Sequence, residues 1–131
     1  MSFQSVYNSY KKPRFAPPAW LFGPVWAFLY VLILVSAGSV VYAIYKDILP
    51  LTAALPFVFN LIANGLYTPL QFRLGSFWLA LVDILIVDCT LVWTLFVLFP
   101  ILPFAAYILL PYLAWVLFAT VLQIAITYKN A

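Results

Sequence analysis

The chain has 131 residues, of which 68% are hydrophobic, 20% aromatic and only 7% charged, with a mean hydropathy of +1.14. A water-soluble domain carries roughly 25% charged residues to wet its surface, so this composition excludes a soluble globular protein and defines an integral membrane protein. The net charge of +3 is spread too thinly for a nucleic-acid-binding face, and the absence of histidine and glutamate excludes a His-based triad or zinc centre within one chain.

The N-terminal segment, residues 1–19, is polar before it is apolar and has no short apolar core with a small-residue cleavage site, so it reads as a tail rather than a signal peptide. Four apolar runs follow, each near the ~20 residues that a membrane helix needs. They are expected at about residues 20–45, 51–72, 77–99 and 104–128. Lys46-Asp47, "RLGS" and "FPILP" separate them. The runs are continuously apolar rather than alternating, which excludes a transmembrane barrel. Pro56 and Pro111 fall inside the second and fourth runs and are expected to kink them. The expected architecture is therefore a single all-α domain, residues 1–131, built as a four-helix membrane bundle.

Four passes place both termini on one side. That side collects Lys11, Lys12, Arg14, Arg73 and Lys129, whereas the other has Lys46 offset by Asp47. By the bias of basic residues towards the cytoplasm, both termini are expected there. Cys89 is the only cysteine and cannot form an intrachain disulfide.

Polar groups within the apolar runs each need a partner in lipid. Asn60, Asn64 and Tyr67 recur at i, i+4, i+7 and share one helix face. That face is either glue between helices or the polar wall of a ligand pocket. Asp83 and Asp88 are turned about 140° from each other around their helix, so they form no tight carboxylate pair. Asp83 is expected to bond a neighbouring helix or to act as a proton or ligand site. Asp88 is expected to meet a pocket, a water or a second subunit. Phe22, Trp26 and Tyr30 recur at i, i+4, i+8 in the first run, and Trp26 and Tyr30 lie deeper than an interfacial belt requires. Tyr107, Pro111, Trp115, Phe118 and Leu122 form a further stripe at helical spacing in the fourth, which is packing in most membrane proteins. No nucleophile–base pair, phosphate loop or metal-ligand set occurs, so no catalytic residue, metal or resident cofactor is expected.

The blocks "YNSYKKPRFAPPAWLFGPVWAFLY", "NLIANGLYTP", "ALVDILIV" and "LLPYLAWVLFATVLQ", in that order, resemble the TspO/translocator protein family. The resemblance covers nearly the whole chain. It implies a helical membrane receptor that binds porphyrins, haem-related tetrapyrroles, sterols or synthetic planar ligands in a pocket capped by the proline-rich segment. It implies ligand contacts at Trp20, Phe22, Trp26, Tyr30, Asn60, Asn64, Tyr67, Asp83, Asp88, Tyr112, Trp115, Ala119 and Leu122. The family usually has five helices; against that pattern the chain begins at the lid and its first helix is expected to be absent. Asn60 stands where glutamine is usual, Gln123 where asparagine is usual, and Asp88 where tryptophan or a small residue is common. The proposed cholesterol motif is not met, because Ile124 replaces its central tyrosine and Tyr128 abuts Lys129. Expected partners are the bilayer, a tetrapyrrole or sterol-like molecule and a second copy of the chain. The other function consistent with these residues is proton-coupled transport using Asp83 and Asp88.

Overall fold

A computed structural model describes residues 7–68, 70, 74 and 76–130. Helix α1 spans Ala19–Tyr45. A 3₁₀ turn, Leu51–Ala54, leads into α2, Leu55–Thr68. Helix α3 spans Phe77–Leu98, a short α4 spans Pro103–Tyr107, and α5 spans Leu110–Asn130. The first and third expected runs coincide with α1 and α3 to within a residue or two. The second is followed as α-helix to Thr68, and its expected end at Phe72, with Arg73, lies outside the described residues. Residues 1–6 of the expected tail also lie outside them.

The two expected proline kinks resolve into junctions. Pro56 is the second residue of α2 and Pro111 the second residue of α5. A first-turn proline costs no hydrogen bond, since that N–H has no intrahelical partner anyway. The fourth run is thus two helices, α4 and α5, with Ile108 and Leu109 between them. Pro24 stands inside α1, near its start.

Among the described residues, three segments are long and apolar enough to cross a membrane: α1, α3 and α4–α5 together. The 18 residues from Leu51 to Thr68 form the fourth pass. At ~1.5 Å per residue in α2 and ~2.0 Å in the 3₁₀ turn, that pass rises ~29 Å, about the thickness of the hydrocarbon core. The protein is therefore an all-helical, multi-pass membrane bundle.

Helix ends follow from local chemistry. Asp47 adopts a left-handed φ of 60°, and the Ile48 N–H reaches back to the Ala43 carbonyl at 2.8 Å. This closes α1 with the six-residue bond of a Schellman motif, in which aspartate tolerates the left-handed position. Ser76 caps α3 by accepting from the Leu79 N–H at 3.2 Å.

Lipid is as apolar as leucine, so helix association here rests on close packing and interhelical hydrogen bonds rather than on escape from water. Helix α3 packs most extensively on α2 and α5. Leu29, Ile33 and Val40 of α1 meet Val87, Leu91 and Leu95 of α3 and Tyr112 and Val116 of α5 in one cluster. Ala105 and Ala106 of α4 are fully buried, which brings α1 close enough for Ser36 Oγ to donate to the Ala105 carbonyl at 3.0 Å. A smaller cluster at the other end joins Tyr7 and Ala19 to Leu122 and Ile126. Exposed leucines, valines and phenylalanines cover the outside, as a lipid-facing surface requires. Ring pairs Trp78–Tyr128 at the lid end and Phe99–Tyr107 at the opposite end sit where interfacial aromatics belong.

Candidate functional site

The amides expected on one face of the second run are on one face of α2, and they are occupied by other protein groups. Asn60 is 1% exposed; its Nδ2 donates to the Val87 carbonyl at 3.0 Å and to Thr90 Oγ1 at 3.2 Å. The Tyr112 hydroxyl donates to Asn60 Oδ1 at 3.0 Å and accepts from Asn64 Nδ2 at 3.0 Å. One turn nearer the lid, the Tyr67 hydroxyl donates to Gln123 Oε1. Gln123 Nε2 in turn reaches Thr127 Oγ1 at 3.1 Å and the Phe77 carbonyl at 3.3 Å. Two of the expected contacts, Asn60 and Tyr112, thus tie α2, α3 and α5 together. Tyr67 does the same through a residue, Gln123, that sequence reasoning had noted for its departure from the family pattern.

The carboxylates separate as their angular spacing implies. Asp83 is 5% exposed, and its Oδ2 has no hydrogen-bond partner among the described residues. Asp88 lies in the α3–α5 seam, where Thr120 Oγ1 donates to its Oδ2 at 2.6 Å. That partner is a hydroxyl on the neighbouring helix. Its Oδ1 is covered by protein and unpartnered among the described residues, as is Trp115 Nε1.

An apolar groove of about 500 Å³ lies between α1 and the first half of α5. Pro17, Leu21, Val25, Phe28 and Leu29 form one wall, and Pro111, Ala114, Trp115 and Phe118 the other. Of the expected contacts, Trp115 is in this lining. Phe22 touches its edge through a T-shaped contact with Trp115, at 5.8 Å between centroids. Trp26 packs inward against Tyr30 and Tyr112. Trp20 is 64% exposed and is not in the groove lining. Ala119 packs against the main core and Leu122 belongs to the lid-end cluster.

The proline-rich segment runs across the lid end. The Tyr7 hydroxyl donates to the Pro17 carbonyl at 2.8 Å, and the Tyr7 ring meets Phe22 edge-on at 5.0 Å. Lys12 Nζ donates to the Tyr7 carbonyl at 3.0 Å and lies 4.6 Å from the Tyr7 ring centroid. The Tyr10 ring meets Phe77, and Phe15 meets Phe118 of the groove wall. Burial raises the phenol pKa of both Tyr7 and Tyr10. Asn130 closes the arrangement. Its Oδ1 accepts from the Lys11 N–H at 3.0 Å, and its Nδ2 donates to the Lys11 carbonyl at 2.8 Å. Sequence reasoning missed this residue, because an amide in the last turn of a membrane helix reads as an ordinary interfacial polar group.

A bundle of apolar helices with an aromatic groove beneath a proline-rich segment defines a helical, multi-pass membrane protein. Residues 1–129 match the TspO/MBR family, and the chain belongs to that family. It is 37% identical over 132 residues to the tryptophan-rich protein TspO of Archaeoglobus fulgidus, covering 99% of this chain and 83% of that one. It is 33% identical to the human translocator protein, covering 95% of this chain and 74% of the human one. It is 34% identical to the translocator protein homolog of Schizosaccharomyces pombe, covering 95% and 77% of the two chains. Family membership supports a membrane receptor or sensor role.

Proposed function

We propose that this protein binds planar apolar ligands, such as porphyrins, haem-related tetrapyrroles or sterols, in the groove between α1 and α5. The observation that carries this reading is the lining. All nine groove residues are apolar, and the Phe28, Trp115 and Phe118 rings are among them. Rigid rings give a large contact area at low entropic cost, and the volume falls within the roughly 300–1,000 Å³ of small-molecule sites. The lid segment contributes Pro17 to the same groove. No catalytic chemistry enters this reading; it is binding linked to sensing or transport.

The test is quenching of tryptophan fluorescence in detergent-solubilised protein by protoporphyrin IX, with Trp115→Phe and Phe118→Ala as variants. Saturable quenching that both changes weaken is expected. Quenching that is linear in porphyrin and insensitive to both would overturn the reading.

A second reading is favoured by the unpartnered oxygens of Asp83 and Asp88. In it, these carboxyl groups carry protons in a coupled transporter. Flux driven by a pH gradient in liposomes, abolished by Asp83→Asn or Asp88→Asn, would support it; no flux would remove it. The proposed orientation puts the lid end in the cytoplasm, since Lys11, Lys12, Arg14 and Lys129 lie there and only Lys46 of the described basic residues lies at the other end.

A further inference from the structure

Besides the ring contacts of Tyr10 with Phe77 and of Phe15 with Phe118, two fastenings of the lid segment differ in kind. Tyr7 is 2% exposed, set among Phe22, Leu122 and Ile126, and holds the Pro17 carbonyl. This is a packed anchor. The second fastening is the Asn130 amide on the Lys11 backbone, and it is exposed to solvent. Asn130 Nδ2 also donates to the Ile126 carbonyl at 2.8 Å, so both amide protons and the amide oxygen are engaged. A primary amide offers a donor and an acceptor side by side, and it pairs with a peptide unit as a neighbouring strand would. Hydrogen bonds that compete with water are individually weak and are made and broken readily. Between Lys11 and Pro17 runs Phe15, which packs on Phe118, and Pro17 itself lines the groove.

We infer that Asn130 is a releasable latch on the lid, and that it sets the rate at which ligand enters and leaves the groove. The inference rests on the groove being the ligand site. Release of Lys11 loosens the stretch from Lys11 to Phe15 while Tyr7 still holds the Pro17 carbonyl, so this stretch lifts from the groove wall at Phe118 without unpacking the bundle. The latch governs exchange rather than affinity, because none of its atoms lines the groove.

The test combines two measurements on the full chain in detergent. The first is hydrogen–deuterium exchange of the lid backbone, residues 7–17, without ligand. The second is stopped-flow association and dissociation of protoporphyrin IX. Asn130→Ala is expected to raise lid exchange and both rate constants by about fivefold, with the dissociation constant within about twofold. Asn130→Asp keeps the acceptor for the Lys11 N–H, loses the donor, and should fall between. Lys11→Ala keeps the backbone groups that the latch uses and should match the unaltered protein. Thermal unfolding should be equal in all four, since the residue is at an exposed helix end. Unchanged lid exchange in Asn130→Ala overturns the latch. Raised lid exchange with unchanged porphyrin rates overturns its control of ligand traffic. If the unaltered protein binds no porphyrin saturably, the ligand reading falls and the exchange role with it, while the hydrogen-exchange arm still reports separately whether Asn130 holds the lid.

Discussion

The Tyr112 hydroxyl donates to Asn60 Oδ1 at 3.0 Å across the α2–α5 seam, with both residues essentially shut off from solvent. Asn64 adds a donor to the same hydroxyl. Tyr112→Phe removes one oxygen and leaves an amide oxygen and an amide donor without it. Interhelical hydrogen bonds in membranes are worth ~0.6–2 kcal/mol, and stranded polar groups add to that. A loss of about 1–3 kcal/mol is expected, read as a lower unfolding midpoint in detergent. Equal midpoints would mean that the seam is held by packing alone.

The Asp88–Thr120 contact predicts a coupling between α3 and α5. Thr120→Val keeps the shape and removes the donor. Asp88→Asn keeps an acceptor for Thr120. Thr120→Val should destabilise by about 1–2 kcal/mol, Asp88→Asn by less, and Asp88→Leu should make Thr120→Val nearly silent. A double-mutant cycle on thermal unfolding measures this, and additive effects would dissolve the pair.

Close approach of α1 to α4 depends on small residues. Ala105 is fully buried beneath Ser36, whose hydroxyl bonds its carbonyl. Ala105→Leu should cost about 1–3 kcal/mol by overpacking. Ser36→Ala should cost about 0.5–1.5 kcal/mol. Denaturation in graded sodium dodecyl sulfate would rank the two, and a harmless Ala105→Leu would mean that α4 moves freely.

Alkaline pH should loosen the lid. Burial raises the Tyr7 pKa above its ordinary value of 10.0. A raised folded pKa means that the stabilisation is fully present below the unfolded value and is lost as pH rises through the folded one. The hydroxyl must also be protonated to donate to Pro17. As pH rises above about 10 the unaltered lid should become protease-sensitive, whereas Tyr7→Phe should lose part of this dependence and start from a looser lid.

The helices were legible because lipid leaves little choice: long apolar runs must be helical to satisfy their backbone. The glue reading of Asn60 and the family assignment were legible too. What sequence could not separate was the two sides of α5. Tyr112, Val116, Gln123 and Thr127 face α2 and α3, whereas Pro111, Ala114, Trp115 and Phe118 line the groove, roughly 140° around the same helix. Helical spacing places both sets on defined angles, but it does not say which neighbour each angle meets. The stripe of Tyr107, Pro111, Trp115, Phe118 and Leu122 therefore mixed groove wall with lid-end cluster. Pro56 and Pro111 read as kinks because their helix starts, a 3₁₀ turn and a two-residue break, leave no mark of their own in an apolar run.

Lys11 and Asn130 are 119 residues apart in the chain and meet at one corner of the bundle. During synthesis, at ~5–20 residues per second, Asn130 is made several seconds or more after Lys11. The earlier helices can enter the membrane and pair before α5 brings Asn130 to that corner. This contact therefore forms after the helix pairs that precede α5, as a closing stitch on a bundle already assembled around it.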